Sequence, residues 1–367
     1  MLQRLPNHEA SPTVRPNLDV EILSVSTAVP SNRLAQGAML ERAKQVFPHL
    51  AHLEPVYANT GIDTRYSCMP LEWYLEPRGW RDRSDCFERE ALALLERAAR
   101  KAIDEAGIRI ADIDAIVTVS TTGLCVPSLD AKLANRMGLR NDIERLPIFG
   151  LGCAGGVSGL ARSARLAQSF EGGHVLLLSV ELCSLNYRLA DTRKAMFIST
   201  ALFGDGAAAV VLRGAGTDPN GNGRGRHPRI TAVGEHLWPE SEDMMGWSIE
   251  EDGFGVIIST TIPAFTQDNI RDAAQTFLTK NGCDFDDLAG LVLHPGGRKV
   301  LEAVESALEI DGDDLRHSWD VLRDFGNMSS PTVLFVLART LATGASGRHL
   351  MAAFGPGFSI SFGLLDL

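Results

Sequence analysis

The second half of this chain repeats the pattern of the first at an offset of about 174 residues, and nothing else in the sequence restricts the fold as much. In the first half, Ala106-Gly107-Ile108 precedes Asp112-Ile113-Asp114-Ala115 and the apolar run Ile116-Val117-Thr118-Val119. In the second, Asn281-Gly282-Cys283 precedes Asp287-Leu288-Ala289-Gly290 and the run Leu291-Val292-Leu293. Gly152-Cys153 then matches Gly326-Asn327, and each pair reads as the opening of a helix. Gly173-His174 before an expected strand over 175–180 matches Gly347-Arg348 before one over 349–354. Each half therefore reads helix, buried strand, helix, buried strand, which is βαβ logic with parallel strands covered on both faces. A chain of 367 residues is long enough for two such halves sharing a core. The expected division is a loose, proline-containing arm over 1–18, one half over 19–213 and another over 229–367. The Gly/Asn/Pro-rich stretch 214–228 is the loop between them.

A pseudo-twofold pair of halves brings equivalent helix starts and strand ends to one crevice. Cys153 and Asn327 are such equivalents, and His294 follows the second-half strand at the position Val119 holds in the first. A thiolate can attack a thioester carbonyl and carry the acyl group. An imidazole beside it can stabilise the thiolate and then donate hydrogen bonds. A neutral asparagine amide adds a donor, so His and Asn aimed at one oxygen form an oxyanion hole. That set suits decarboxylative Claisen condensation. Taken singly, Cys153 reads as a small buried hydrophobe, His294 before Pro295-Gly296-Gly297 as a turn residue, and Asn327 as a helix N-cap. Only their joint placement favours catalysis.

The segment around the cysteine allows a rival reading. Gly150, Gly152 and Gly155 spell G-x-G-x-x-G between an expected strand over 146–149 and an expected helix over 157–168, the pattern that cradles a dinucleotide pyrophosphate. Glu181 stands about where a ribose-binding acid belongs, which would make the chain an NAD-dependent dehydrogenase. The motif lies mid-chain, however, behind an earlier strand unit, and Glu181 is more economically a structural carboxylate near the site. The alternative places Cys153 at a helix start, where N–H groups and the dipole favour a thiolate.

Charge and cysteine usage narrow the classes. A net charge of −11 argues against nucleic-acid or anionic-membrane binding. The six cysteines form no C-x-x-C pair, so no zinc or other metal site is expected. No secretory signal and no membrane-spanning apolar run are evident, which points to the reducing cytoplasm.

From about Val20 onward the chain resembles the type III polyketide synthases, the chalcone synthase-like branch of the thiolase fold. The motifs carrying this are Gly150-Leu-Gly-Cys153-Ala-Gly-Gly, Phe203-Gly-Asp-Gly206, His294-Pro-Gly-Gly297, Gly326-Asn327-Met-Ser-Ser330 and Phe354-Gly-Pro-Gly357. The resemblance implies an α/β, thiolase-like fold: two pseudo-twofold-related halves in a five-layered αβαβα core. It implies Cys153 as the acyl carrier, His294 and Asn327 as the decarboxylation and oxyanion pair, and Phe203 as a gatekeeper. It places Thr121, Thr122, Cys183, Asn186, Trp247, Val256 and Ser329 around the substrate pocket, with Glu181, Gly355, Pro356 and Gly357 as structural neighbours. Val256 stands where plant members carry a second gating phenylalanine, so a more open pocket is expected there; Cys183 replaces a plant threonine. Ala353 replaces the first glycine of the G-F-G-P-G signature. The cations that grip CoA phosphates in plant members are not evident over 55–59, leaving Arg65, Arg298 and Lys299 as candidates. The resemblance further implies acyl-CoA and malonyl-CoA as substrates, no cofactor beyond them, and a homodimer. Met245-Gly246-Trp247 and the stretch 66–74 look most like bacterial alkylpyrone and alkylresorcinol synthases, which extend fatty acyl starters. A 3-oxoacyl-carrier-protein synthase III-like enzyme ranks second, because such enzymes usually carry His-Gln-Ala-Asn and Gly-Asn-Thr-Ser signatures instead.

Overall fold

Nine strands form the framework of the computed structural model, which describes residues 18–214 and 227–367. Most of the expected arm and the middle of the expected inter-half loop lie outside these residues. Leu18 is an exception to the arm: it is buried, and its N–H donates to the Thr231 carbonyl at 3.1 Å.

The strands are β1 (Val20–Ala28), β2 (Ile113–Ser120), β3 (Glu144–Phe149), β4 (His174–Leu182) and β5 (Asp205–Gly214) in the first half. The second half supplies β6 (Arg229–Leu237), β7 (Gly290–Leu293), β8 (Arg348–Gly355) and β9 (Ser359–Asp366). Their spatial order is β7-β8-β9-β6-β1-β5-β4-β2-β3. β2 runs parallel to β3 and β4, whereas β5 is antiparallel to β4 and β1. The second half repeats this: β7 is parallel to β8, β9 antiparallel to β8, and β6 antiparallel to β9. Within the large sheet the two halves meet where β1 and β6 pair through Val20↔Ile230 and Glu21↔Arg229, so the framework is two sheets of one topology sharing a seam. β3 is the strand without a counterpart.

Side chains alternate across each strand, and the helices cover both sides. Between the sheets lie α2 (Gly155–Ala167) and α5 (Thr332–Ala342). Their Val157, Leu160, Val333 and Leu337 share one apolar cluster with Val117 and Val119 of β2, Leu177 of β4 and Met351 of β8. On the outer face of the first sheet, Leu95, Ala99 and Ile103 of α1 (Trp80–Ala106) pack on Ile116, Leu176 and Leu178. On the outer face of the second, Ile270, Ala274 and Leu278 of α3 (Ile262–Lys280) pack on Leu350 and Leu364. The result is helix, sheet, helix pair, sheet, helix, the expected five layers. Each fully buried aliphatic in these layers contributes about 1.5–3 kcal/mol.

α2 begins at Gly155, ahead of the expected start at Val157. Glycine lowers helix stability by roughly 0.5–1 kcal/mol relative to alanine, so a reason is needed for three of them in this helix. A Cβ on Gly159 would stand 2.7 Å from Val119 Cγ2, and one on Gly156 only 2.3 Å from the Ser330 carbonyl oxygen. The bare face lets α2 press against β2 and the segment before α5.

Candidate active site

Cys153 sits in a single 3₁₀ turn, Gly152–Ala154, that leads directly into α2. Gly150 and Gly152 hold φ of 90° and 48°, left-handed values that a side chain would resist. A Cβ on Gly152 would come within 2.6 Å of Pro356 Cδ, and one on Gly355 within 2.7 Å of the Leu151 carbonyl oxygen. The Gly355-Pro356-Gly357 turn is therefore seated on the cysteine turn. Pro356 and Ser330 occupy the room that a pyrophosphate cradle would leave open, so the glycines serve close packing and the dinucleotide reading fails.

Asn327 arrives differently from the way the repeat implied. The helix Arg316–Phe325 stops at Gly326, whose φ is 69°, and α5 begins only at Thr332. In between, Asn327 is extended: its N–H donates to the Leu202 carbonyl, and its carbonyl accepts from Gly204 N–H, both at 3.0 Å. Asn327 is thus no helix start and no N-cap. Its Oδ1 accepts from Ser329 N–H at 2.7 Å, a local turn in which Ser329 takes φ of 59°. The same Oδ1 faces the Cys153 thiol at 3.9 Å. One N–H of Nδ2 donates to the Gly296 carbonyl at 3.0 Å, tying Asn327 to the loop that starts with His294.

His294 leaves β7 with its N–H donating to the Ala352 carbonyl at 2.9 Å. The ring is buried, and neither ring nitrogen has a partner among the described residues. Burial lowers its pKa to about 3, so the imidazole is neutral. Burial also pushes the Cys153 thiol up to about 11; the Glu181 charge adds to this, while Ser329 and Asn327 pull the other way. Burial thus works against the expected resting thiolate, opposing the N-terminus of α2, and keeps the imidazole neutral.

Glu181, at the end of β4, joins the segments. Its Oε2 accepts from Thr121 N–H and Thr122 N–H at 2.9 Å each and from Thr122 Oγ1 at 2.7 Å. Its Oε1 accepts from Ser330 Oγ at 2.7 Å, and Thr121 Oγ1 accepts from Gly152 N–H at 3.0 Å. This fully buried carboxylate is enclosed by donors of its own chain, which rules out a ribose contact. Ser330 is a member of this network that the sequence reading passed over, although it ends the Gly326–Ser330 motif.

The remaining expected pocket residues fall in two groups. Cys183 and Asn186 are buried beside the network, with Asn186 Nδ2 donating to the Thr122 carbonyl at 3.2 Å. Trp247 and Val256 are cross-strand partners in the hairpin formed by Met245–Glu250 and Gly253–Ile258. Both pack on the cluster around Met196 and Phe197.

Phe203 closes the helix Lys194–Leu202 and pairs with Asn327 through the backbone. Arg65 is not available to a phosphate. It is 1% exposed, and its terminal nitrogens donate to the carbonyls of Thr200, Ala201 and Phe203 at 2.7–3.0 Å, where the orphan carbonyls at a helix end need donors. Arg298 and Lys299 are exposed at the start of α4 (Arg298–Leu308), just beyond the His294 loop. Arg298 pairs with Glu302 at 2.7 Å.

A buried thiol, a partner-free neutral imidazole and an amide brought together from three segments define a condensing-enzyme site on a duplicated α/β framework. The family models for chalcone and stilbene synthases match this chain, the N-terminal domain over residues 9–219 and the C-terminal domain over 229–365. The chain belongs to that family and is a type III polyketide synthase. It is 39% identical over 94% of its length to a 1,3,6,8-tetrahydroxynaphthalene synthase of Streptomyces peucetius, covering 92% of that protein. It is 35% identical to a putative chalcone synthase of Bacillus subtilis, over 92% of this chain and 96% of the other. The crystal structure of 1,3,6,8-tetrahydroxynaphthalene synthase from Streptomyces coelicolor superposes with a TM-score of 0.88 at 31% identity, covering 94% of this chain and 99% of that one.

Proposed function

We propose that the enzyme loads an aliphatic acyl group from CoA onto Cys153, extends it with malonyl-CoA and cyclises the product to an alkylpyrone or alkylresorcinol. The supporting observation is the resting state of the site: a thiol beside Asn327 Oδ1, with an imidazole that is neutral and unengaged. As Cys153 Sγ attacks the acyl-CoA carbonyl, His294 takes the thiol proton, and CoA leaves with a proton as its free thiol. Malonyl-CoA then loses CO₂; the electron pair of the broken C–C bond becomes an enolate, whose oxygen receives hydrogen bonds from His294 and the second N–H of Asn327 Nδ2. The enolate carbon attacks the acyl-cysteine carbonyl, a C–C bond forms, and the thiolate departs. Burial strengthens these hydrogen bonds by excluding water. No charged side chain is found among the pocket positions Thr121, Thr122, Cys183, Asn186, Trp247, Val256 and Ser329, which suits an uncharged aliphatic starter. Lys299, exposed next to the His294 loop, is the best-placed cation for CoA phosphates.

A second reading has its own support. The relative at 39% identity is named for tetrahydroxynaphthalene, a product with no alkyl chain, which would make malonyl-CoA the sole substrate. Incubation with malonyl-CoA, with and without acyl-CoA starters of graded length, separates the two by product mass. Alkylated products are expected; tetrahydroxynaphthalene alone would overturn the fatty-starter reading. Cys153→Ala should abolish every product, and undiminished turnover would overturn the mechanism.

Homodimerisation is part of the proposal. β3 is an edge strand carrying exposed Leu146 and Phe149, and Val126 in the loop after β2 is 97% exposed. An apolar open edge of this kind is ordinarily covered by another chain. Light scattering should return twice the monomer mass. Among the described residues no helix is long and apolar enough to cross a membrane, and all six cysteines are free thiols, which suits a cytoplasmic setting.

A further inference from the structure

Arg65 is a buried cation whose hydrogen-bond partners are backbone carbonyls and the Gln36 amide, with no carboxylate among them. It stands on the short strand Thr64–Ser67, which pairs with Asn32–Ala35 outside the large sheet. Burying a charge is costly unless its donors are well used, so its place calls for a reason.

The reason lies in what those carbonyls carry. At the end of the helix Lys194–Leu202 every carbonyl from 199 to 203 is taken, as buried backbone requires. Ser199 accepts from Phe203 N–H at 3.0 Å. Arg65 donates to Thr200 at 2.9 Å, to Ala201 at 2.7 Å and to Phe203 at 3.0 Å. Gln36 Nε2 adds a bond to Ala201 at 3.0 Å, and Tyr187 Oη one to Phe203 at 2.8 Å. The carbonyl of Leu202 is left for Asn327, whose N–H donates to it at 3.0 Å. Gly204 N–H returns a bond to the Asn327 carbonyl at the same distance. Asn327 is thus docked through residues 202 and 204, on a helix end that Arg65 grips at 201 and 203.

Packing points the same way. A Cβ on Gly204 would lie 3.2 Å from Arg65 Cβ, and one on Gly326 would lie 3.6 Å from the same atom. The Arg65 stem therefore fills the space between the two turns that present Phe203 and Asn327. Thr64 Oγ1 ties the same strand to the Asp324 carbonyl at 2.8 Å, just ahead of Gly326.

We infer that Arg65 is a positioning residue for decarboxylation: it fixes this helix end so that Asn327 aims the second N–H of Nδ2 at the enolate oxygen. At 1% exposure it acts through Asn327 and not on the substrate. The inference rests on the assignment of Asn327 to the enolate and adds what holds that amide in place. Tyr187 supports the same carbonyl at Phe203 with a single bond.

The test is a double-mutant cycle on malonyl-CoA turnover, read as CO₂ release. Arg65→Met keeps the stem and removes the grip. A misplacement of about 1 Å costs on the order of 10²-fold, so kcat should fall between about tenfold and a hundredfold. KM should stay within about threefold, because no substrate binding is removed. Asn327→Asp alone should lose about 10²–10³ in kcat. Adding Arg65→Met to it should cost less than about threefold more, since the donor being positioned is already gone. Additive losses would mark a merely structural role and overturn the inference. A rise in KM at unchanged kcat, which would make Arg65 a CoA contact, overturns it too, as does a folded Arg65→Met enzyme with wild-type kcat. Tyr187→Phe leaves every Arg65 bond in place, and its kcat should fall about threefold, again without adding to Asn327→Asp. If Arg65→Met does not fold, this second cycle decides alone, and either wild-type kcat or additivity in it overturns the inference. An Asn327→Asp enzyme that releases CO₂ at the wild-type rate overturns the assignment of Asn327, and the inference with it.

Discussion

Glu181 is where pH should act most directly on this fold. Its carboxylate accepts hydrogen bonds from Thr121, Thr122 and Ser330, yet burial is the larger influence and raises its pKa from 4.5 to about 7. A raised folded-state value means that the native protein holds a proton which the unfolded chain has already released. The stabilisation is fully present below pH 4.5, declines as pH rises, and is lost once pH passes about 7. One pKa unit corresponds to about 1.4 kcal/mol, so the whole effect is about 3 kcal/mol. Glu181→Gln removes the titration while keeping the shape: its oxygen can face the Thr121 and Thr122 N–H groups, and its amide can donate to the Ser330 hydroxyl. A lost hydrogen bond adds a cost of about 1 kcal/mol that does not vary with pH. Urea unfolding of both proteins at half-unit steps from pH 4.5 to 8.5 isolates the difference. The stability of the variant relative to wild type should climb by about 3 kcal/mol up to pH 7 and then stay level. A difference that is flat across this range, or that falls with pH, refutes the assignment.

Further outcomes are expected from the same geometry. With the Cys153 thiol pushed up to about 11, its alkylation by iodoacetamide should quicken about tenfold per pH unit between 7 and 10; a plateau below pH 8 would show a preformed thiolate instead. Asn327→Asp keeps an acceptor for Ser329 N–H but loses the donor and sets a carboxylate against the thiol. Its kcat should drop by about 10²–10³ with the protein still folded, and an activity within tenfold of wild type would remove Asn327 from the oxyanion site. Gly156→Ala forces a Cβ to within 2.3 Å of the Ser330 carbonyl oxygen. A loss of about 1–3 kcal/mol in denaturant unfolding is expected, and an unchanged midpoint would mean that α2 has slack the packing does not show.

How much of this was legible in the sequence depended on whether the signal was local. The parallel strands announced themselves because strands covered on both faces must be largely apolar, as 116–119 (with Thr118 its one polar residue) and 291–293 are. The glycines around Cys153 were visible but ambiguous, since the same residues serve a phosphate cradle and a close helix contact; only the position of Pro356 and Ser330 decides. Arg65 looked like a free cation because composition does not reveal burial, and the carbonyls it caps belong to a helix more than 100 residues away in the chain. Burial around Cys153, which pushes its thiol up, was hidden for the same reason: a helix start can be seen in a sequence, whereas the sealing of a site cannot.

The contact between Cys153 and Asn327 also explains why a duplicated chain carries one site and not two. In a pseudo-twofold arrangement, a residue can touch its own repeat equivalent only near the axis, as at a symmetric dimer interface. These two residues are 174 positions apart, the repeat offset itself, and their side chains meet at 3.9 Å. They therefore lie at the axis, where two equivalent positions share one space. Two cysteines there would put one thiol into the place of the donor, and two asparagines would leave no nucleophile. Divergence of the halves is thus a condition of the chemistry. The second half has diverged locally in the required way: Gly326 ends its helix early, and the extended segment that follows presents an amide where the first half presents a thiol at the mouth of α2.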